Sequence, residues 1–272
     1  MTTPEELLSL VEVKTRLVHT PPWPGTFVAF EGGDACGKTT QVSMLAEKLT
    51  LLGIPTAATS FPRYGEATGK AIGRHLRGET WVTDGYDYGL GDTINVRRAP
   101  EDALFFQALQ TLDKYEEAAN ILKILESGGV VVSSRWYQSA EVYGADDGLD
   151  AAMLRRAHAC LPKADVNILL HLSSDASLAL RPDLRDRFER DRAKQDRIRQ
   201  SYLDMWWDKE AAARFRARSS FADGCDHRWD VVYCEGKSAE EVHDEVWDVV
   251  LRVPGFAARI AAAVKLVFGK TP

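Results

Sequence analysis

Apolar and polar positions fall into a repeating pattern along this chain, a short unbroken apolar run followed by a stretch in which apolar residues return at helical spacing. Phe27–Phe30 is the first such run and reads as a buried strand. Val42, Leu45, Ala46, Leu49 and Leu52 then recur as one helix face, ending at Gly53. Ile54–Ser60 predicts a second strand and Ala67–Leu76 a short helix. Pro100–Glu101–Asp102 opens a long helix that reaches about Ser127, with Leu104, Phe105, Ala108, Leu112, Ala119, Leu122 and Leu125 as its apolar positions. Gly128–Gly129 stops it. Val130–Val132, Val166–Leu172 and Val231–Cys234 predict further strands, and Ala239–Val253 a last core helix closed by Pro254–Gly255.

Strands alternating with helices predict a three-layer α/β/α fold with a central parallel sheet. This domain covers residues 25–253. Residues 1–24 form an N-terminal extension, an amphipathic helix over 4–18 broken by Pro21–Pro22–Trp23–Pro24–Gly25. Residues 254–272 hold a C-terminal helix, apolar and weakly basic through Arg259 and Lys265, expected to pack on the domain or on a partner subunit. Residues 78–98, where glycines alternate with Trp81, Tyr86 and Tyr88, read as a long loop covering a substrate or an oligomer contact.

Composition narrows the function. With 34 basic and 40 acidic residues the net charge is −6, which argues against a nucleic-acid partner. Four cysteines without a paired spacing predict reduced thiols and a cytoplasmic setting. Cys225, His227 and Cys234 lack a fourth ligand and a zinc spacing. Met1–Thr20 has no apolar core of a secretory signal, and no run is long enough for a membrane span.

The chemistry centres on the interval after the first strand. Gly32-x-x-x-x-Gly37-Lys38-Thr39 fits the phosphate-binding P-loop position for position, between a strand and a helix. The N–H groups of Gly32, Gly33, Asp34, Ala35, Cys36, Gly37, Lys38, Thr39 and Thr40 can curl around an anion at a helix N-terminus. Lys38 would reach the terminal phosphates of ATP, and the Thr39 hydroxyl would hold Mg²⁺. Arg63, at the end of the second strand, is a candidate for an anionic group of the substrate. Residues 181–199 are dense in charge, which alone reads as a solvated helix face. Beside a P-loop they read as a movable segment whose arginines close over phosphate.

These motifs, in this order, resemble the thymidylate kinase family of nucleoside monophosphate kinases over roughly residues 26–252. Phe30–Glu31–Gly32–Gly33–Asp34 with Gly37–Gln41 is similar to the family's P-loop, and Phe61–Pro62–Arg63–Tyr64–Gly65 to its substrate-side segment. Asp113–Lys114, Val131–Trp136 with Ser139 and Tyr143, Leu161–Pro162–Lys163–Ala164–Asp165, and a lid at about 181–192 with Tyr202 beyond it complete the likeness. The resemblance implies a P-loop kinase fold and transfer of the ATP γ-phosphoryl group to a deoxynucleoside 5′-monophosphate, assisted by Mg²⁺, by a homodimer paired through its long helices. It implies Asp34 between donor and acceptor, Arg63 and Arg135 on the acceptor phosphate, and Tyr143 beside the deoxyribose. Phe61, Pro62, Tyr64, Phe106, Gln110 and Lys114 would shape the rest of the acceptor site. Arg181, Arg185 and Arg187 would act from the lid, with Glu189 completing the metal shell beside Thr39 and Asp34. Three positions depart from the family pattern: Ser134 stands for an acid, Lys114 for an arginine and Gln110 for an aromatic. They imply either a base other than thymine or a weakened acceptor site; the alternative to a kinase is a nucleotide-binding regulator or scaffold.

Overall fold

The computed structural model describes residues 23–77, 100–180, 191–207 and 228–268. Its centre is a five-stranded sheet in the order β2-β3-β1-β4-β5, with every pairing parallel. The strands are β1 (Thr26–Glu31), β2 (Thr56–Ser60), β3 (Val130–Ser134), β4 (Val166–His171) and β5 (Arg228–Tyr233). All six residues of β1 are buried, which is why Phe27–Phe30 at its centre form a continuous apolar run. Side chains of a strand alternate between faces. Val28 and Phe30 therefore join one core with α1 (Lys38–Leu51), α8 (Ala239–Leu251) and α9 (Phe256–Phe268), while Phe27 and Ala29 join another with α3 (Pro100–Glu126) and Trp136. The predicted three layers are present.

Strand boundaries differ most from the sequence expectation at the starts of the two edge strands. β2 begins at Thr56, because the Ile54 N–H is taken by the Leu49 carbonyl at the end of α1. β5 begins at Arg228, ahead of the expected Val231, since a half-buried edge strand need not be apolar from its start. Three helices carry too weak an apolar period to read from sequence: α4 (Tyr137–Asp146), α5 (Ala151–Ala157) and α6 (Ser174–Leu180); α7 (Arg192–Trp207) takes up the end of the charged run and continues past it. α2 (Ala67–Leu76) lies where expected.

The long helix α3 has two characters. Its buried side carries Phe106, Gln107, Asp113, Lys114, Ala118, Ile121 and Leu125, whereas Leu104, Phe105 and Leu112, expected as part of one apolar face, are exposed. Helix α9 packs on its own domain: Phe256 is fully buried in the first core, and Arg259 donates to Thr26 Oγ1 and the Gly128 carbonyl. The N-terminal helix, the 78–98 loop, the Cys225–His227 pair and most of the lid lie outside the described residues. Among the described residues, no helix is long and apolar enough to cross a membrane.

Candidate active site

The chain leaves β1 toward β2 on one side of the sheet, while β4 pairs on the other. Such a reversal opens a crevice at the carboxyl ends of the strands, where α/β proteins bind ligands. The P-loop fills it. Gly32 (φ 134°) and Gly37 (φ 90°) adopt left-handed backbone, and a Cβ on Gly32 would lie 2.4 Å from the Leu170 carbonyl oxygen, so the loop needs glycine there. The Lys38 ammonium is buried and donates to the Gly32 and Gly33 carbonyls and to Cys36 Sγ. Burial, reinforced by the nearby Arg135, pulls its pKa below the usual lysine value. Thr39 and Thr40 are exposed in the first turn of α1. The donor set suits Mg²⁺ bound chiefly through phosphate oxygens, which takes one or two protein ligands. No cluster of three acidic, histidine or cysteine side chains able to hold a metal alone occurs among the described residues.

Asp34 and Arg135 form the centre of the site. The Arg135 guanidinium pairs with the Asp34 carboxylate and donates to the Gly32 carbonyl and Ser139 Oγ, each at 3.2 Å. Tyr143 and Gln195 donate to the other Asp34 oxygen at 3.3 and 3.1 Å, and Ser177 Oγ donates to its carbonyl at 2.7 Å. Burial alone would raise the Asp34 carboxyl; Arg135 and Lys38 overcome it and hold it below its usual value, ionised at neutral pH. Arg135 sits at φ 68°, a backbone conformation costly for a non-glycine residue. It is fastened there by its own N–H to the Phe30 carbonyl and by the Ser133 hydroxyl to its carbonyl.

Glu31 ties the strands below. It is fully buried and accepts from the Trp136 N–H (2.7 Å), Ser139 Oγ (2.6 Å) and Tyr202 Oη (3.0 Å). Burial raises its pKa. β1, the β3–α4 turn and α7 are thus joined at one carboxyl group.

A cavity opens beside Arg135. The turn after β2 gives Phe61, Pro62 and Tyr64; α2 gives Leu76; α3 gives Phe106, Gln107, Gln110 and Lys114; α4 gives Ser139, Ala140 and Tyr143. Asp34 and Arg135 stand at its P-loop side. Lys114 is 1% exposed, donates to the Gln110 carbonyl at 3.0 Å and lies 5.4 Å from the Phe61 ring centre. Burial draws its pKa down to about 8.

Of the residues singled out in the sequence, Asp34, Phe61, Pro62, Tyr64, Phe106, Gln110, Lys114, Arg135 and Tyr143 meet around this cavity. Arg63 does not line it. Its guanidinium is occupied by Asp113 (3.0 Å), Glu116 (2.9 Å) and Glu117 (2.8 Å), so the expected second clamp is turned onto α3. Arg181, Arg185, Arg187 and Glu189 lie outside the described residues. In the described part of the charged run, Asp191, Arg192, Asp196 and Arg197 are exposed, as on a solvated face, while Lys194 and Gln195 are buried. Gln195 and Arg199 reach the P-loop from that run, Arg199 packing where a Cβ on Gly33 would stand 3.3 Å away. Their helical phase was not legible, because charge masks the apolar period. Gln107 was missed as well, with nothing in the sequence to separate it from neighbouring glutamines.

No family model matches the chain. Among curated proteins it is similar to a probable thymidylate kinase of Thermococcus gammatolerans, 30% identical over 184 residues, 66% of this chain and 83% of that one. A thymidylate kinase of Bartonella henselae is 31% identical over 205 residues, 71% of this chain and 86% of that one. Among solved structures, Candida albicans thymidylate kinase superposes with a TM-score of 0.58 at 19% identity, over 83% of this chain and 91% of that one. The thymidylate kinase of Ehrlichia chaffeensis gives 0.54 at 19% identity, over 83% and 98%.

Proposed function

The chain belongs to the thymidylate kinase family, and from that premise we propose that it transfers the γ-phosphoryl group of ATP to the 5′-phosphate of a pyrimidine deoxynucleoside monophosphate. One observation carries the reading: the Asp34–Arg135 pair stands between the P-loop and a cavity lined by the turn after β2, α2, α3 and α4.

Phosphoryl transfer needs positioning and charge stabilisation more than covalent help. The loop amides of Gly32, Gly33, Ala35, Cys36, Gly37 and Thr40 and the Lys38 ammonium hold the donor phosphates. The Thr39 hydroxyl and Asp34 would hold Mg²⁺, which would supply neutralisation of charge on the donor phosphates. Arg135 presents its planar fork to the acceptor phosphate, a geometry suited to two parallel hydrogen bonds. Asp34 orients that fork and keeps it charged. Tyr64, Phe61 and Pro62 close the cavity wall, and Tyr143 lies where a ribose would meet α4. Arg63, braced on three carboxylates, positions Tyr64. Arg181, Arg185 and Arg187, with Glu189, act from the lid. Two copies pair through the exposed Leu104, Phe105 and Leu112 of α3, which sedimentation would read as a dimer.

The test is ADP release with ATP, Mg²⁺ and a panel of deoxy- and ribonucleoside monophosphates. A deoxypyrimidine monophosphate is expected as the best acceptor. Tight ATP binding with no acceptor above background refutes the reading.

A further inference from the structure

Gln107 is 2% exposed, and neither its Oε1 nor its Nε2, both buried, has a hydrogen-bond partner among the described residues. A buried amide left unpaired is costly and uncommon in folded proteins. Gln138 and Asn167 share that condition, but neither lines the cavity, whereas Gln107 does. Space has been kept for it. Gly144 faces it from α4, where a Cβ would come within 3.3 Å of Gln107 Cγ and 2.6 Å of Leu154 Cδ1. The aromatic floor beside it is stacked and fixed, with Phe106 on His75 at 4.5 Å between ring centres.

Resting on the kinase reading above, we propose that Gln107 reads the acceptor base, pairing its amide with a ring N–H and the carbonyl next to it. A carboxamide offers one acceptor and one donor side by side, which matches the N3–H and O4 of a 2,4-dioxopyrimidine. Lys114 lies seven residues on along α3, on the same side of the helix and in the same cavity. Its positive charge favours a base that turns carbonyl oxygens toward it and disfavours an exocyclic amine. Gln107 touches the base and leaves the phosphates to Arg135 and Lys38, so its loss acts through acceptor recognition.

The experiment pairs a change in the protein with a change in the ligand. Turnover is measured with dTMP and with its N3-methyl analogue, on the native protein and on Gln107→Ala, which leaves room for the methyl group. For the native protein, methylation should lower kcat/KM about 100-fold or more, since a site built to hydrogen-bond a group rejects the analogue lacking it. In Gln107→Ala, dTMP should lose about 10- to 100-fold and the methyl penalty should shrink below about threefold, because the partner of the N–H is gone. Gln107→Leu, free of ligand, should melt about 2–4 °C above the native protein, as it removes an unpaired buried amide. A native methyl penalty carried undiminished into Gln107→Ala, or a lower melting temperature for Gln107→Leu, overturns the assignment while leaving the kinase reading intact. A native protein that phosphorylates another deoxypyrimidine monophosphate but not dTMP overturns the assignment alone, and one that phosphorylates no nucleoside monophosphate in the panel overturns both.

Discussion

Arg135 combines a strained backbone with the charge at the centre of the site, and the two can be separated by mutation. Replacing it with alanine or with glycine removes the same guanidinium, its pairing with Asp34 and its bonds to Gly32 and Ser139. Losing one partner of a fully buried ion pair costs about 3–5 kcal/mol. Here the Asp34 side chain keeps 26% of its exposure, so about 2 kcal/mol is expected, alike for both variants. The backbone distinguishes them. At φ 68° alanine keeps a left-handed cost of about 1–2 kcal/mol, which glycine lacks, while glycine's freer unfolded chain returns about 0.5–1 kcal/mol of that. Arg135→Gly should therefore be the more stable variant by about 0.5–1 kcal/mol, or about 1–4 °C in melting temperature. Both should lose about 100- to 1,000-fold in kcat, the scale for removing one preorganised charge donor. The assays are thermal melts and coupled ADP release on both variants. Arg135→Ala melting at or above Arg135→Gly would refute the strain argument, and kcat within threefold of native in either variant would refute the phosphate role.

Two other perturbations test neighbouring features. Holding the Lys114 ammonium at about 8 instead of its ordinary 10.5 costs the folded state about 3 kcal/mol at neutral pH. Below about pH 8 that penalty is fully present; between about 8 and 10.5 the unfolded chain binds more protons, so stability rises with pH. Lys114→Met should be more stable than native at pH 7 and should lack that rise, as denaturant titrations at pH 7, 8.5 and 10 would show; parallel pH curves for the two proteins contradict it. At Gly69 a Cβ would stand 1.9 Å from the Arg63 carbonyl oxygen, so Gly69→Ala must push the Phe61–Tyr64 turn away from α2. It should cost about 1–3 kcal/mol and raise the KM for the acceptor with ATP affinity unchanged, and an unaltered acceptor KM would show that this turn does not shape the cavity.

How much of this was legible in the chain depends on whether the physics is local. The P-loop could be read outright, because anion binding by backbone N–H groups needs glycines and a helix start at fixed spacing, and both are contiguous in sequence. The buried strands could be read too, since burial on both faces demands an unbroken apolar run. Thus the fold class and the phosphate-loop motif were in the sequence itself. What the tertiary structure decided is where long polar side chains spend their hydrogen bonds. Arg63, Gln107 and Gln195 are equally plausible surface residues in the sequence. Only the packing of α3, α4 and α7 gives Arg63 to three carboxylates, Gln195 to Asp34, and leaves Gln107 buried on the cavity wall without a partner. Those outcomes are set by contacts 50 or 161 residues apart along the chain, which no local spacing encodes.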